Sequence, residues 1–349
     1  MSGRHQHYLP RFLQKGFCCD EPRRAESAYV HRRDKVFLSH MKGIGQERDF
    51  YSAPDDPSLD DALTRVETTM AETVRQLASG DVALLDVSAC ATLVGALSVR
   101  TKAMRRAMID VLPIVIEEAA KELADLQNTR QALKKHANDK RWLHETVSKE
   151  MAKLPRMSRE QASRMRKTLE TAIRVGFNDP DSPCITEAHE GLQLAAAKLI
   201  KEAGAIADGA FKAALKNDPT MTLRAEQLRQ CRFEIIEAEE SYPFILGDCA
   251  VVARYTDGMA RLPFSSIEDQ LYPEIQCLPV SPRRCLTLRR DSKIPLPKAS
   301  EINAWSAALS HEFFISHSAT FSNAECLRKL INTADPIDTE DRIRSYLVA

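Results

Sequence analysis

VALLDVSACATLVGALSV, residues Val82 to Val99, is the stretch whose reading decides the fold. It is eighteen residues long with a single charge, Asp86, so length alone would let it cross a bilayer. Asp86, Ser88, Thr92, Gly95 and Ser98 dilute the apolarity, and the helix is read as running on into Arg100, Lys102, Arg105 and Arg106. A buried helix at the centre of a bundle, apolar nearly all round because neighbours surround it, fits that pattern better. No association with a membrane is expected.

Helical patterning extends to both sides. From Pro57 onward Leu59, Leu63, Val66 and Met70 recur three or four residues apart, with acidic residues gathered at the start, where a helix dipole favours them. Ser158 and Gln161 predict a capping box before Ala162, Met165, Leu169 and Ile173, with Gly176 as a stop. After the Asn178-Asp179-Pro180 break another helix is predicted over 186–203. Four to seven helices are expected in this middle segment.

The two ends read differently. Residues 1–27 are expected to form a short helix or loop, followed by strands at 28–32 and 35–40 around the turn Arg33-Asp34. After about residue 230, short β-type runs fall at 232–237, 244–246, 251–255, 276–280 and 285–289, punctuated by prolines. Helices are predicted at 300–318, 322–333 and 339–347. The expected fold is α+β and mainly α, with a small mixed or antiparallel β portion formed by both chain ends and a large helical insertion. The domain boundaries follow: 1–56 with 228–349 as a discontinuous β-containing domain, and 57–227 as a helical one.

Composition narrows the function classes. The formal net charge is zero over 349 residues, which argues against a protein that coats nucleic acid. The window from Arg100 to Arg174 holds eighteen basic and ten acidic residues, a mild excess of the kind found on solvated helical faces. Nine cysteines at irregular positions, with no CxxC, suggest reduced thiols rather than a disulfide framework or a zinc knuckle. With no apolar leader at Met1, a cytoplasmic protein is expected. P-loop, GxGxxG, GxSxG and HExxH motifs do not occur, which removes the support for P-loop hydrolases, Rossmann enzymes, α/β-hydrolases and zincins.

Three clusters remain as carriers of chemistry. The first is His5-Gln6-His7-Tyr8-Leu9-Pro10. Two histidines across one residue share a face of an extended segment, and Pro10 biases Leu9 away from helix. The apolar series Tyr8, Leu9, Phe12, Leu13 and Phe17 would dock this segment on the core and hold His7 there, leaving His5 as tail. The second is Asp49-Phe50-Tyr51-Ser52 with the acidic run Asp55, Asp56, Asp60 and Asp61, leading to Glu67. That run reads as a capped helix start, but Glu67 shares the Leu63 and Met70 stripe and would need a partner if buried, such as Arg100 or a histidine. Arg100 itself suits an interior ion pair or an anion site. The third is Phe244 to Asp248, an apolar strand delivering an acid, with Leu278-Pro279-Val280-Ser281-Pro282. An Asp there presents a ligand or base, or bonds backbone as a turn residue.

Taken together these features resemble a widespread, largely bacterial family known as domain of unknown function 4238 (DUF4238). The matching features run from His7-Tyr8-Leu9-Pro10 with Phe12, Leu13 and Phe17, through Asp49 to Ser52, Glu67 and Arg100-Thr101, to Asp248 and Pro279 to Pro282. The chain departs from the family at Gly247-Asp248-Cys249-Ala250, where Ser-Asp-Asn-Pro is usual, and at Arg11 and Gly16, where Gln and Asn are more typical. The resemblance implies which residues to watch rather than an activity. Tyr8, Arg11, Arg100 and Ser281 are the candidate binding residues.

Two functions compete. In the first the chain is a hydrolase acting on a phosphodiester or nucleic acid. His7 would be general base or metal ligand, Asp248 and Glu67 metal ligands or orienters, and Arg100 an anion clamp. A divalent metal would be the cofactor, with His7 and Asp248 its candidate ligands, and all four residues would converge in one pocket. In the second it is a non-catalytic binding or regulatory module whose HYLP segment is a structural latch, with His7 bonded to Asp248 or a backbone carbonyl. Nucleic-acid binding by the basic helices is a weaker third reading. Homo-oligomer formation stays open.

Overall fold

The computed structural model describes residues 5–19, 24, 26–51, 58–80, 86–263 and 273–334. They form two compact units, one taking the described residues up to Asp110 and from Ile206 on, the other Val111–Ala205. These limits differ from the boundaries read at 57 and 227. The reason is that several helices of that segment bury their apolar faces in the first unit, together with the strands.

In that unit the strand His5–His7 (β1) pairs antiparallel with Gln46–Arg48 (β4). This corrects the helix or loop expected for the first residues. Between them come the short helix Arg11–Gln14 (α1) and the hairpin of Ser27–His31 (β2) and Val36–His40 (β3). The hairpin turn falls where Arg33-Asp34 placed it, closed by the Arg32 N–H donating to Lys35 O at 2.9 Å.

Helix Ser58–Ser79 (α2) buries Leu59, Leu63, Met70, Val74 and Leu77, one stripe at helical spacing. Helix Val87–Val99 (α3) is buried almost all round from Cys90 to Ser98. Its lone charge, Asp86, is the N-cap, accepting from the N–H groups of Ser88 and Ala89. Among the described residues no helix is long and apolar enough to cross a membrane. The helix does not run on as expected. It stops at Arg100, and Thr101 caps a new helix, Lys102–Ala124 (α4), its Oγ1 accepting from Met104 N–H at 3.2 Å.

The second unit contains the later part of α4, the helices Leu126–Asn138 (α5), Lys140–Ala152 (α6) and Arg159–Asn178 (α7), and the start of Pro183–Asn217 (α8). Asp125 and Asp139 cap α5 and α6, and Ser158 with Gln161 forms the anticipated capping box of α7. With Thr222–Leu228 (α9), eight helices lie between 58 and 228 among the described residues. That exceeds the expected four to seven because these aspartates and Thr101 each cap the start of a new helix.

The remaining strands are antiparallel. Arg232–Glu237 (β5), Leu246–Gly247 (β6), Val252–Tyr255 (β7), Ala260–Arg261 (β8), Pro273–Pro279 (β9) and Arg284–Arg289 (β10) precede helix Ala299–Leu309 (α10), strand Phe314–Ser316 (β11) and helix Ala324–Leu330 (α11). One sheet runs β5-β10-β9-β7-β8, the other β3-β2-β11-β6. In the second, Ile315 faces Val30 and Leu246, so the two chain ends share a sheet, as expected. The fold is mostly helical, with small antiparallel sheets flanking a large helical insertion. A single helix over 300–318 does not form: α10 ends at Leu309, and the run of backbone after it is held by Asp248. The helix read at 339–347 lies outside the described residues.

Candidate functional site

The N-terminal segment enters the core by its backbone. Gln6 is buried, and its Oε1 accepts the Tyr51 N–H at 2.6 Å. Leu9 N–H donates to Gly45 O at 3.2 Å. Gly45 has φ +59°, and a Cβ there would fall 2.6 Å from Leu9 Cβ, so glycine alone allows the approach. Pro10 then opens α1. Buried Gln14 reaches back, its Nε2 donating to Leu9 O at 2.6 Å and to Ile44 O at 3.1 Å.

The same Ile44 carbonyl lies 3.0 Å from Nδ1 of His7. A carbonyl oxygen only accepts, so Nδ1 carries the proton, and Nε2 of the neutral ring is left as the acceptor. His7 is half-buried. Burial holds its pKa below the usual histidine value, opposed by the Ile44 bond and then reinforced by the Arg11 charge, with Glu67 acting the other way and His5 adding to the lowering. The ring is therefore neutral at physiological pH.

Glu67 and Arg100 do meet. Arg100 is 1% exposed, and its Nη2 donates to Glu67 Oε1 at 2.6 Å, while Glu67 keeps a third of its side chain exposed. Burial alone would lower the arginine's pKa; Tyr51 and Glu67 more than reverse that, so the guanidinium stays charged. Its Nε and Nη1 have no hydrogen-bond partner among the described residues. Tyr51 ties the two motifs together, its hydroxyl 3.0 Å from Arg100 O and 3.4 Å from His7 O, with the guanidinium carbon 5.7 Å from its ring centroid. His7, Arg11, Glu67, Arg100 and Tyr51 thus share one neighbourhood.

Arg11 differs from Arg100 in having no ion pair among the described residues. It is half-buried, makes no ion pair or hydrogen bond with the described residues, and has a buried, unpartnered Nε.

Asp248 has another job. It is fully buried at the end of β6, with Oδ1 accepting His311 N–H at 2.7 Å and Oδ2 accepting Glu312 and Phe313 N–H at 2.7 and 3.2 Å. Burial pushes its carboxyl up to about 7, against the pull of those three amides. Both oxygens are engaged by backbone, so the residue shapes the loop that carries Glu312. Gly247 beside it has no room for a side chain: a Cβ would lie 2.5 Å from Ser310 Oγ and 2.7 Å from Ser306 O. Ser281 also serves backbone, its Oγ accepting the N–H groups of Arg283 and Arg284 in the turn before β10. Gly16 packs on that turn, where a Cβ would come 2.2 Å from Val280 O.

Tyr8 is buried between these groups. Burial raises its pKa, helped by the charges of Asp248, Glu312 and Glu47. Lys102 stands 5.9 Å from its ring centroid and bonds Glu312 at 2.7 Å and Glu47 at 3.0 Å. Arg105 continues the network to Asp208 at 2.5 Å and lies 4.6 Å from the Phe50 centroid. Sequence reasoning did not single out Lys102, Glu47 or Glu312. Thr101 as a helix cap was the available signal, because it fixes the directions of Arg100 and Lys102. Asp55 and Asp56 lie outside the described residues. Among the described residues, no three histidine, cysteine, aspartate or glutamate side chains gather as metal ligands.

A family model described as "Protein of unknown function (DUF4238)" matches residues 5–330 of the chain. No curated protein and no solved structure matches it.

Proposed function

The chain belongs to the DUF4238 family, and we propose that it is a hydrolase acting on a phosphodiester, with His7 as general base. One observation carries this reading. The His7 ring is held through Nδ1 by Ile44 with Nε2 left as acceptor, in reach of the field of Arg11, a guanidinium that no carboxylate neutralises among the described residues. A neutral imidazole with a fixed tautomer is what proton abstraction from water near neutral pH requires.

In the reaction, Nε2 takes a proton from water as the water oxygen bonds phosphorus. The P–O bond to one ester group breaks, and that oxygen leaves with the electron pair. The proton passes from His7 to the leaving oxygen, giving a phosphomonoester and an alcohol. Arg11 neutralises the non-bridging oxygens, and the Glu67–Arg100 pair fixes the charged floor beneath them. A divalent ion, if the reaction uses one, would take the Glu67 oxygen that Arg100 leaves open, because Nε2 of His7 is committed as the base. Asp248 acts one step removed, as the positioning residue of the Glu312 loop.

The latch reading has its own support, because His7 is bonded to a backbone carbonyl, as that reading expects, Ile44 O also accepts from Gln14, and the whole segment from Gln6 to Leu13 is built into the core, with only His7, Arg11 and Phe12 half-buried. A substrate panel separates the two. The full chain is assayed with bis(4-nitrophenyl) phosphate, 4-nitrophenyl phosphate and 4-nitrophenyl acetate, each with EDTA, Mg2+ or Mn2+. Diester cleavage is the expected result, and the metal arms show whether an ion takes part. No turnover of any diester under any condition would leave the latch reading in place.

A further inference from the structure

We infer that the cleft between α1 and α2 receives the organic group of the substrate, making that substrate a phosphate ester with an apolar, ring-sized substituent. This deepens the hydrolytic reading by naming its substrate class, and the binding measurement below does not depend on turnover. The cleft encloses about 730 Å3, with Arg11, Phe12, Lys15, Ala71, Val74 and Arg75 among its walls. That size suits a small molecule rather than a polymer.

Charge and apolarity are divided within it. Phe12, Ala71, Val74 and Ala78 give an apolar wall. Arg75 is neutralised by Glu72, through bonds of 2.6 and 2.9 Å. Arg11 and Lys15 have no carboxylate partner among the described residues, so two cations of the lining are uncompensated. A half-buried guanidinium with a desolvated, unpartnered Nε favours an anion that can supply the missing acceptor. Arg11 belongs both to this lining and to the surroundings of His7. A phosphate held by Arg11 would have its ester group over the apolar wall, with Arg11 the group that the cleft shares with the surroundings of His7.

Calorimetric titration of the full chain with phenyl phosphate and with inorganic phosphate tests this. Phenyl phosphate should bind about tenfold tighter than inorganic phosphate, from the buried ring. Ala71→Phe should remove that advantage by filling the cleft, and Lys15→Glu, an exposed change that spares folding, should weaken both ligands. His7→Gln should leave phenyl phosphate binding intact even if it abolishes hydrolysis, so failure of the catalytic reading and failure of the cleft assignment are told apart. Equal affinity for the two ligands, or Lys15→Glu without effect, would overturn the proposal. Capture by phosphatidic acid vesicles without phenyl phosphate binding would do the same, by assigning the cleft to a lipid headgroup.

Discussion

Nδ1 of His7 and the carbonyl oxygen of Ile44 lie 3.0 Å apart, and this contact decides which ring nitrogen carries the proton and which is left as the base. Because burial and the Arg11 charge keep the ring's pKa below 6.5, the base form is complete at neutral pH and is lost as pH falls. An NMR titration of the His7 ring should place its midpoint below 6.5. Arg11→Met should move it up by removing a cation, and Glu67→Gln should move it down by removing an anion. A wild-type midpoint above 6.5 would remove the electrostatic basis of the site.

Glu67 is the carboxylate bonded to the nearly inaccessible Arg100. Glu67→Ala would strand that buried charge and should cost roughly 3 kcal/mol in urea unfolding. Adding Arg100→Met should restore part of the loss. A single variant as stable as wild type would mean that the pair is solvated and does not form a fixed floor.

Asp248 accepts three amide N–H groups. In Asp248→Asn one acceptor becomes a donor facing those groups, and about 2–3 kcal/mol should be lost. Its carboxyl, pushed up to about 7 from 3.8, binds a proton in the fold that it releases when unfolded. The associated stability is full below pH 3.8 and is lost as pH rises through 7. The difference in unfolding free energy between wild type and Asp248→Asn, followed from pH 4 to 8, should shrink over that range. A pH-independent difference would contradict the shift.

His31 works in the opposite direction. Stacked on Phe314 and bonded to Ser316 Oγ at 2.8 Å, it is held by burial at about 4. Below pH 6.5 the unfolded chain takes up a proton that the folded chain refuses until about pH 4. Wild type should lose about 1.6 kcal/mol between pH 6.5 and 5 from this group alone. His31→Gln, which cannot titrate, should show a correspondingly flatter profile; identical slopes would rule the effect out.

Gly45 is the hinge of the His7 mount. Its φ of +59° and the 2.6 Å approach to Leu9 make Gly45→Ala costly, by about 1–3 kcal/mol. The His7 resonance should shift with it. Unchanged stability would mean that the Leu9 segment is not locked as described.

What the sequence makes legible is what local chemistry dictates. The α2 stripe, the capping box at Ser158 and the turn at Arg33-Asp34 each depend on residues a few positions apart, and each forms. The pairing of Glu67 with Arg100 could be named because a charge on an apolar stripe demands an opposite charge. The strand at His5–His7 was hidden because three residues become a strand only when Gln46–Arg48 lies beside them. The early end of α10 was hidden for a related reason, since the carboxylate holding residues 311–313 comes from a distant strand. Lys102 with Glu47 and Glu312 is assembled wholly by tertiary structure.

The central claim is that His7 does chemistry rather than merely pinning the N-terminus. It is tested most directly by His7→Gln, measured at once for Tm and for kcat/KM on bis(4-nitrophenyl) phosphate at pH 7.5. Turnover should fall at least about 100-fold, while Tm stays within a few degrees of wild type. Unchanged turnover, or a collapse of Tm that accounts for the lost activity, would contradict the account and leave His7 as a structural anchor.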